Sequence, residues 1–99
     1  MLIEFEGKMI FWRGPAPYMF VCIPDEPSQL IKNISSVVSY GWGAIPVVAR
    51  VGDTEWRTSL FPKNGKYLVP IRASVQEAER LKLDDDVHVH LIIILPTGA

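Results

Sequence analysis

The sequence is poor in cysteine, has no long hydrophobic run and carries no clear excess of either charge. Its single cysteine, Cys22, cannot form a disulfide within the chain, which argues against a small disulfide-bonded secreted scaffold. A reducing compartment suits such a chain, so we expect a cytoplasmic protein. The longest apolar run, residues 91–95, is far shorter than the roughly 20 residues that a membrane helix needs. We also expect no signal peptide, because residues 1–9 alternate apolar and charged side chains.

The charge balance disfavours nucleic acid as a partner. Ten lysines and arginines face eleven aspartates and glutamates, for a formal net charge of −1. Proteins that bind nucleic acid usually carry a basic excess, because phosphate contacts supply much of their affinity. The hydrophobic fraction of 48% is sufficient for one folded core. We predict a single domain over residues 1–95 and a disordered tail over residues 96–99.

Two periodicities divide the chain into strands and helices. A helical period predicts a helix over residues 24–40, and the spacing of Ser74 and Glu77 predicts a capping box that opens a second, shorter helix. Two short helices cannot cover both faces of a large sheet. The prediction is therefore a mainly β fold, a closed or nearly closed six-stranded barrel in the order β-β-α-β-β-β-α-β. Alternation and turn residues place the six strands at residues 2–13, 18–23, 44–51, 54–61, 66–71 and 87–95.

Three spaced motifs give the chain a family likeness. They are residues 11–18 (FWRGPAPY), 41–47 (GWGAIPV) and 56–62 (WRTSLFP). Together they resemble the bacterial and archaeal family known as domain of unknown function 1905 (DUF1905). The resemblance extends over nearly the whole chain and implies a small β-barrel with two helices. It implies no established activity, although relatives often occur beside a second domain linked to bacteriocin protection.

Aromatic and guanidinium side chains suggest a ligand site. A guanidinium group binds carboxylate or phosphate through a rigid fork, and aromatic rings at element ends line pocket mouths. We predict that a small, anionic molecule binds at the barrel mouth. The alternative is that the rings pack in the core and the arginines pair with glutamates or stack on rings. The residues that we predict to hold the ligand are Arg13, Trp42, Arg57, Ser59 and Tyr67.

The sequence does not complete a metal site. His88 and His90 lie two apart on one predicted strand and face the same side, opposite Val87, Val89 and Leu91. A metal needs a third or fourth ligand, for which only Cys22 and Asp86 are nearby candidates. We therefore predict a solvated outer face and no metal. Cys22 itself is expected to pack as an inert small hydrophobe.

Motifs of catalysis are missing from the sequence. It contains no Ser-His-Asp set, glycine-rich phosphate loop or paired-carboxylate motif, so binding is a better prediction than catalysis, and we expect no cofactor. The alternative to a small ligand is a protein-interaction module, either homodimeric or bound to a separate partner. In that hypothesis Ile92 and Ile94 form an apolar surface that packs against the partner.

Overall fold

The computed structural model, which describes residues 2–13, 18–38 and 44–94, is a closed six-stranded barrel with two helices. This architecture and the order of elements confirm the prediction from the sequence. The predicted tail at residues 96–99 lies outside the described residues. Along the chain the elements are β1 (Leu2–Trp12), β2 (Tyr18–Cys22), α1 (Asp25–Val38), β3 (Ile45–Val51), β4 (Thr54–Lys63), β5 (Lys66–Pro70), α2 (Ala73–Glu79) and β6 (Asp86–Ile93).

The long first strand closes the barrel. Around the barrel the strand order is β1-β2-β5-β4-β3-β6, and every neighbouring pair is antiparallel. Residues 2–8 of β1 pair with β6, whereas residues 9–12 pair with β2. Because β1 joins the two ends of the sheet, closure pairs the strand edges that an open sheet would expose.

Alternating side chains fill the inside of the barrel. Every strand contributes buried apolar residues, as period-two alternation requires. Full burial of one large aliphatic side chain contributes about 1.5–3 kcal/mol. The largest fully buried apolar side chains are Met9, Ile23, Ile31, Ile45, Leu60, Ile71, Leu91, Val21, Val47, Val69, Val75 and Val89.

The two helices pack against the barrel, and the start of the second differs from the prediction. In α1, Ile31 is buried, whereas its neighbour Leu30 is exposed. The predicted capping box in α2 is wrong, because that helix begins earlier, with Arg72 as its N-cap and no side-chain cap bond. Instead, Gln76 Nε2 donates to the carbonyl of Ile71 at 2.8 Å. Among the described residues, neither helix has the length and apolar character to cross a membrane.

Two tight turns connect β3 to β4 and β4 to β5. Asn64 and Gly65 both have positive φ angles, 51° and 80°, which is the backbone of a mirror-image hairpin turn. Gly52, between β3 and β4, also has a positive φ of 57°. Glycine and asparagine tolerate this region better than other residues, so these positions set the hairpins.

Candidate functional site

Two of the predicted ligand residues share the outer wall of the barrel. Arg57 is exposed and Ser59 is half-buried on β4, and they alternate with the buried Trp56 and Leu60. Period two therefore places both side chains on the same outer face. They lie in the middle of a ten-residue strand, on the wall of the barrel.

The other predicted ligand residues lie elsewhere. Tyr67 on β5 is only 6% exposed and belongs to the core cluster, so it does not share a surface with Arg57. Arg13 is exposed and immediately follows β1. Trp42 lies outside the described residues. Of the predicted set, the structure thus brings Arg57 and Ser59 to one face and sends Tyr67 to the interior.

An aromatic groove lies on the outer wall beside the polar pair. It has a volume of about 330 Å³ and is formed where β2, β4 and β5 meet. Two of its rings, Tyr18 and Phe20, lie 5.6 Å apart between centroids in a tilted arrangement. Phe61 is 45% exposed, a large fraction for a phenyl ring. The lining residues are Tyr18, Phe20, Thr58, Phe61 and Pro70.

Two arginines are close in the chain to residues that line this groove. Arg57 precedes the lining residue Thr58, and Arg72 follows Pro70 by two residues. Arg72 Nη2 donates to the carbonyl oxygen of Arg57 at 2.8 Å, which fixes one arginine against the backbone of the other. Both side chains are exposed. The groove therefore has apolar walls and two exposed arginines beside its lining residues in the chain, of which Arg72 was not predicted from the sequence.

The β4–β5 hairpin forms a second surface feature. Lys63 Nζ lies 2.9 Å from the ring centroid of Trp12, so the hairpin reaches β1 through a cation–π contact. Cys22 lies beneath it, half-buried, with its thiol donating weakly to the carbonyl of Ile23 at 3.9 Å. A groove of about 390 Å³ lies beside the hairpin and is lined by Ile10, Cys22, Lys63, Asn64, Lys66 and Leu68.

A cluster of one glutamate and two histidines occupies the outer face of β1 and β6. Glu4 lies opposite His90 in the antiparallel register. Its Oε1 is 2.6 Å from His88 Nε2 and 3.8 Å from His90 Nε2. The hydrogen bond from His88 lowers the pKa of the Glu4 carboxyl below its ordinary value, and electrostatic interactions with His90, His88 and Arg50 act in the same direction.

The structure brings a third residue of a metal-binding type, Glu4, to the two histidines, and the sequence did not predict this. Asp86, one of the two candidates from the sequence, instead pairs with Lys8 at 3.9 Å. Glu4 is 84 positions from His88 and joins it only because β1 and β6 pair. The alternation of Glu4 and Glu6 in β1 was the one local signal that these carboxylates face outward.

The apolar surface predicted on β6 extends onto β1. Ile92 is 48% exposed, and its cross-strand partner Leu2 is 67% exposed. Ile94 is half-buried just after the strand. A groove of about 490 Å³ runs from this end of β1 to α1, lined by Leu2, Ile3, Glu4, Phe5, Pro24, Glu26, Pro27 and Leu30.

One known protein family matches most of the chain. The model of the domain of unknown function DUF1905 matches residues 5–91, which include all six strands in whole or in part and both helices. No curated protein matches the sequence. Since the matched region exceeds half of the 99 residues, the chain belongs to the DUF1905 family.

Proposed function

We propose that this domain binds a small aromatic anion in the groove lined by Tyr18, Phe20, Thr58, Phe61 and Pro70. The observation that carries the proposal is the hydrogen bond from the Arg72 guanidinium to the carbonyl of Arg57, the residue next to Thr58 in the lining of an aromatic groove. This keeps the class of ligand expected from the sequence and moves its site from the barrel mouth to the outer wall.

The chemistry of the groove favours a planar molecule with a negative group. Rings such as Phe61 and Tyr18 offer apolar faces on which a planar ligand stacks. A guanidinium group adds two parallel N–H donors that match a carboxylate or phosphate. The volume of about 330 Å³ lies at the lower end of the range of small-molecule sites, about 300–1,000 Å³.

The lining residues favour binding over a reaction. Among the described residues that line the groove, the polar side chains are the hydroxyl groups of Tyr18 and Thr58. A general acid or base at neutral pH is most often an imidazole or a carboxyl group, and neither type occurs among these described lining residues.

The test uses benzoate, phenyl phosphate and inorganic phosphate as probes against isotope-labelled protein. We expect the two aromatic anions to shift the backbone amide signals of Phe20, Thr58 and Phe61, and inorganic phosphate to bind more weakly because it cannot stack. Loss of one charge-assisted contact costs about 1.5–3 kcal/mol, so Arg57→Gln or Arg72→Gln should weaken binding roughly tenfold or more.

The matched control is Arg50→Gln. Arg50 is also exposed on the outer wall, but its Nη1 donates to the carbonyl of Gly52 at 2.9 Å, away from the groove. This variant should bind the aromatic anions as the unaltered protein does. The proposal is refuted if the aromatic anions cause no shifts of these amide signals. It is also refuted if the shifts persist when both Arg57 and Arg72 are replaced.

A second candidate function is self-association through the paired side chains of Leu2 and Ile92. Both are large, exposed and directly opposite each other on β1 and β6. Two copies that bring these pairs together would remove their apolar area from water. Each Å² of apolar surface buried in this way stabilises the dimer by about 25 cal/mol. Light scattering should then give a dimer mass that Ile92→Lys reduces to a monomer. Leu83→Lys is the control, because Leu83 is a similarly exposed leucine in a turn.

A further inference from the structure

The cluster of Glu4, His88 and His90 has the composition of a metal-binding site. We propose that these three side chains bind one divalent transition-metal ion of the zinc type on the outer wall of the barrel. The proposal is independent of the aromatic groove, which lies on a different set of strands. It replaces the expectation from the sequence that the two histidines face solvent without a third donor.

The strand geometry holds the three donors on one rigid face. His88 and His90 alternate with the buried Val87, Val89 and Leu91, so both imidazoles point outward from β6. The antiparallel register then places Glu4 opposite His90. Sites built on paired strands are more exact than sites on loops, because backbone hydrogen bonds fix the positions of the donors.

The distances suit a single shared ion. One ligand atom from each residue lies within 4.8 Å of the other two. Bonds of about 2.0–2.1 Å in a tetrahedral site place neighbouring donors about 3.3 Å apart. The Glu4–His88 distance of 2.6 Å must open and the Glu4–His90 distance of 3.8 Å must close, each by less than about 1 Å. Rotations of exposed side chains supply movements of this size.

The donor set selects the class of metal. Two imidazole nitrogens and one carboxylate oxygen suit zinc and its first-row neighbours, whereas calcium and magnesium require mainly oxygen ligands. Three protein donors leave a coordination position open. Because the cluster faces solvent, that position is accessible to water or to a donor from another molecule.

The surrounding charges permit a cation. Glu6 lies opposite His88 on the same face and adds a second carboxylate near the site. Arg50 lies opposite His90, but its guanidinium is directed toward the carbonyl of Gly52. The next cross-strand pair, Lys8 and Asp86, is neutral overall. The two negative charges of Glu4 and Glu6 therefore exceed the one positive charge of Arg50 beside the histidines.

The experiment titrates the full chain, without an affinity tag, with Zn²⁺ by calorimetry and with Co²⁺ by visible absorption. We expect one ion per chain and the d–d bands of a low-coordinate cobalt site. Glu4→Gln, His88→Ala and His90→Ala should each weaken binding by more than about 100-fold, since even the loss of an outer partner costs about 10- to 100-fold. The control Glu6→Gln should change the affinity far less.

A readout on the unaltered protein keeps the test independent of any variant. Zn²⁺ should shift the imidazole NMR signals of both His88 and His90, and acid should release the ion because protons compete for the ring nitrogens. The proposal is overturned if Zn²⁺ shifts neither histidine, or if Glu4→Gln binds as tightly as the unaltered chain. Circular dichroism confirms that each variant remains folded.

Discussion

Gly7 lies directly against the backbone of Cys22, at the point where β1 changes its neighbouring strand. A Cβ atom on Gly7 would overlap the carbonyl oxygen of Cys22 and crowd the side chain of Val21. Lys8 is the last residue of β1 that pairs with β6, and Met9 is the first that pairs with β2. Closure of the barrel therefore depends on a position where only a hydrogen atom fits.

Replacement of Gly7 by alanine should destabilise the protein. The added methyl group meets a backbone atom, which cannot rotate away as a side chain can, so β1 or β2 must shift. Overpacking of this type costs about 1–3 kcal/mol of unfolding free energy. Urea denaturation measures the change, with the exposed neighbour Glu6→Ala as the control, expected within about 0.5 kcal/mol. Equal stability of the two variants would contradict this account of barrel closure.

Removal of the Ser28 hydroxyl should also destabilise the protein. Ser28 is buried in α1, its Oγ donates to the carbonyl of Ile23 at 3.0 Å, and it accepts the N–H of Tyr67 at 3.2 Å. In Ser28→Ala, the Tyr67 N–H loses this acceptor, which costs about 1–3 kcal/mol. Denaturant titration against Ser74→Ala, an exposed helical serine, measures the difference. A loss no larger than that of the control would show that the hydroxyl does not join α1 to the sheet.

Most of the fold could be predicted because its signals are local. Alternation and turn residues such as Asn64 and Gly65 fix the strands and hairpins without knowledge of the rest of the chain. The end of β4 was predicted too early, at residue 61, because Pro62 lacks a backbone donor. The described pairs beyond Leu60 are with β5 alone, so β4 accommodates this proline and continues to Lys63.

The candidate sites depend on register, which the sequence does not display. Arg57 and Ser59 lie on one strand, so period two relates their side chains without knowledge of the register. Tyr67 was grouped with them although it lies on another strand, where alternation directs it into the core. Glu4 was overlooked for the same reason, since only the pairing of β1 with β6 brings it to His88.

The indole of Trp56 should be replaceable by a phenyl ring at little cost. Trp56 is 7% exposed, and its Nε1 has no hydrogen-bond partner among the described residues. A buried donor without a partner is unfavourable by about 1–3 kcal/mol, which offsets the packing lost with the smaller ring. Trp56→Phe should therefore stay within about 1 kcal/mol of the unaltered protein, whereas Trp56→Ala should lose about 3–5 kcal/mol. If urea denaturation shows that Trp56→Phe and Trp56→Ala lose similar amounts of unfolding free energy, the indole N–H stabilises the folded protein.

The carboxylate of Glu4 should make stability depend on acid pH. Its pKa is below the ordinary value of 4.5, first because of the hydrogen bond from His88, so folding favours the ionised form. A depressed folded-state pKa contributes stability above pH 4.5, and that contribution is lost as the pH falls through the folded value. The stability difference between the unaltered chain and Glu4→Gln should accordingly shrink on acidification.

The urea midpoints of the unaltered chain and of Glu4→Gln measure this difference. Both are determined above and below pH 4.5, with a chelator present. The chelator removes any bound ion, so that only proton binding is compared. Glu6→Gln controls for the loss of a carboxylate on the same face of β1. A difference between the Glu4 proteins that stays constant or grows in acid would show that His88 does not stabilise the ionised carboxyl group. Because the side chain is exposed, solvent screening keeps the effect small, and its direction is the decisive result.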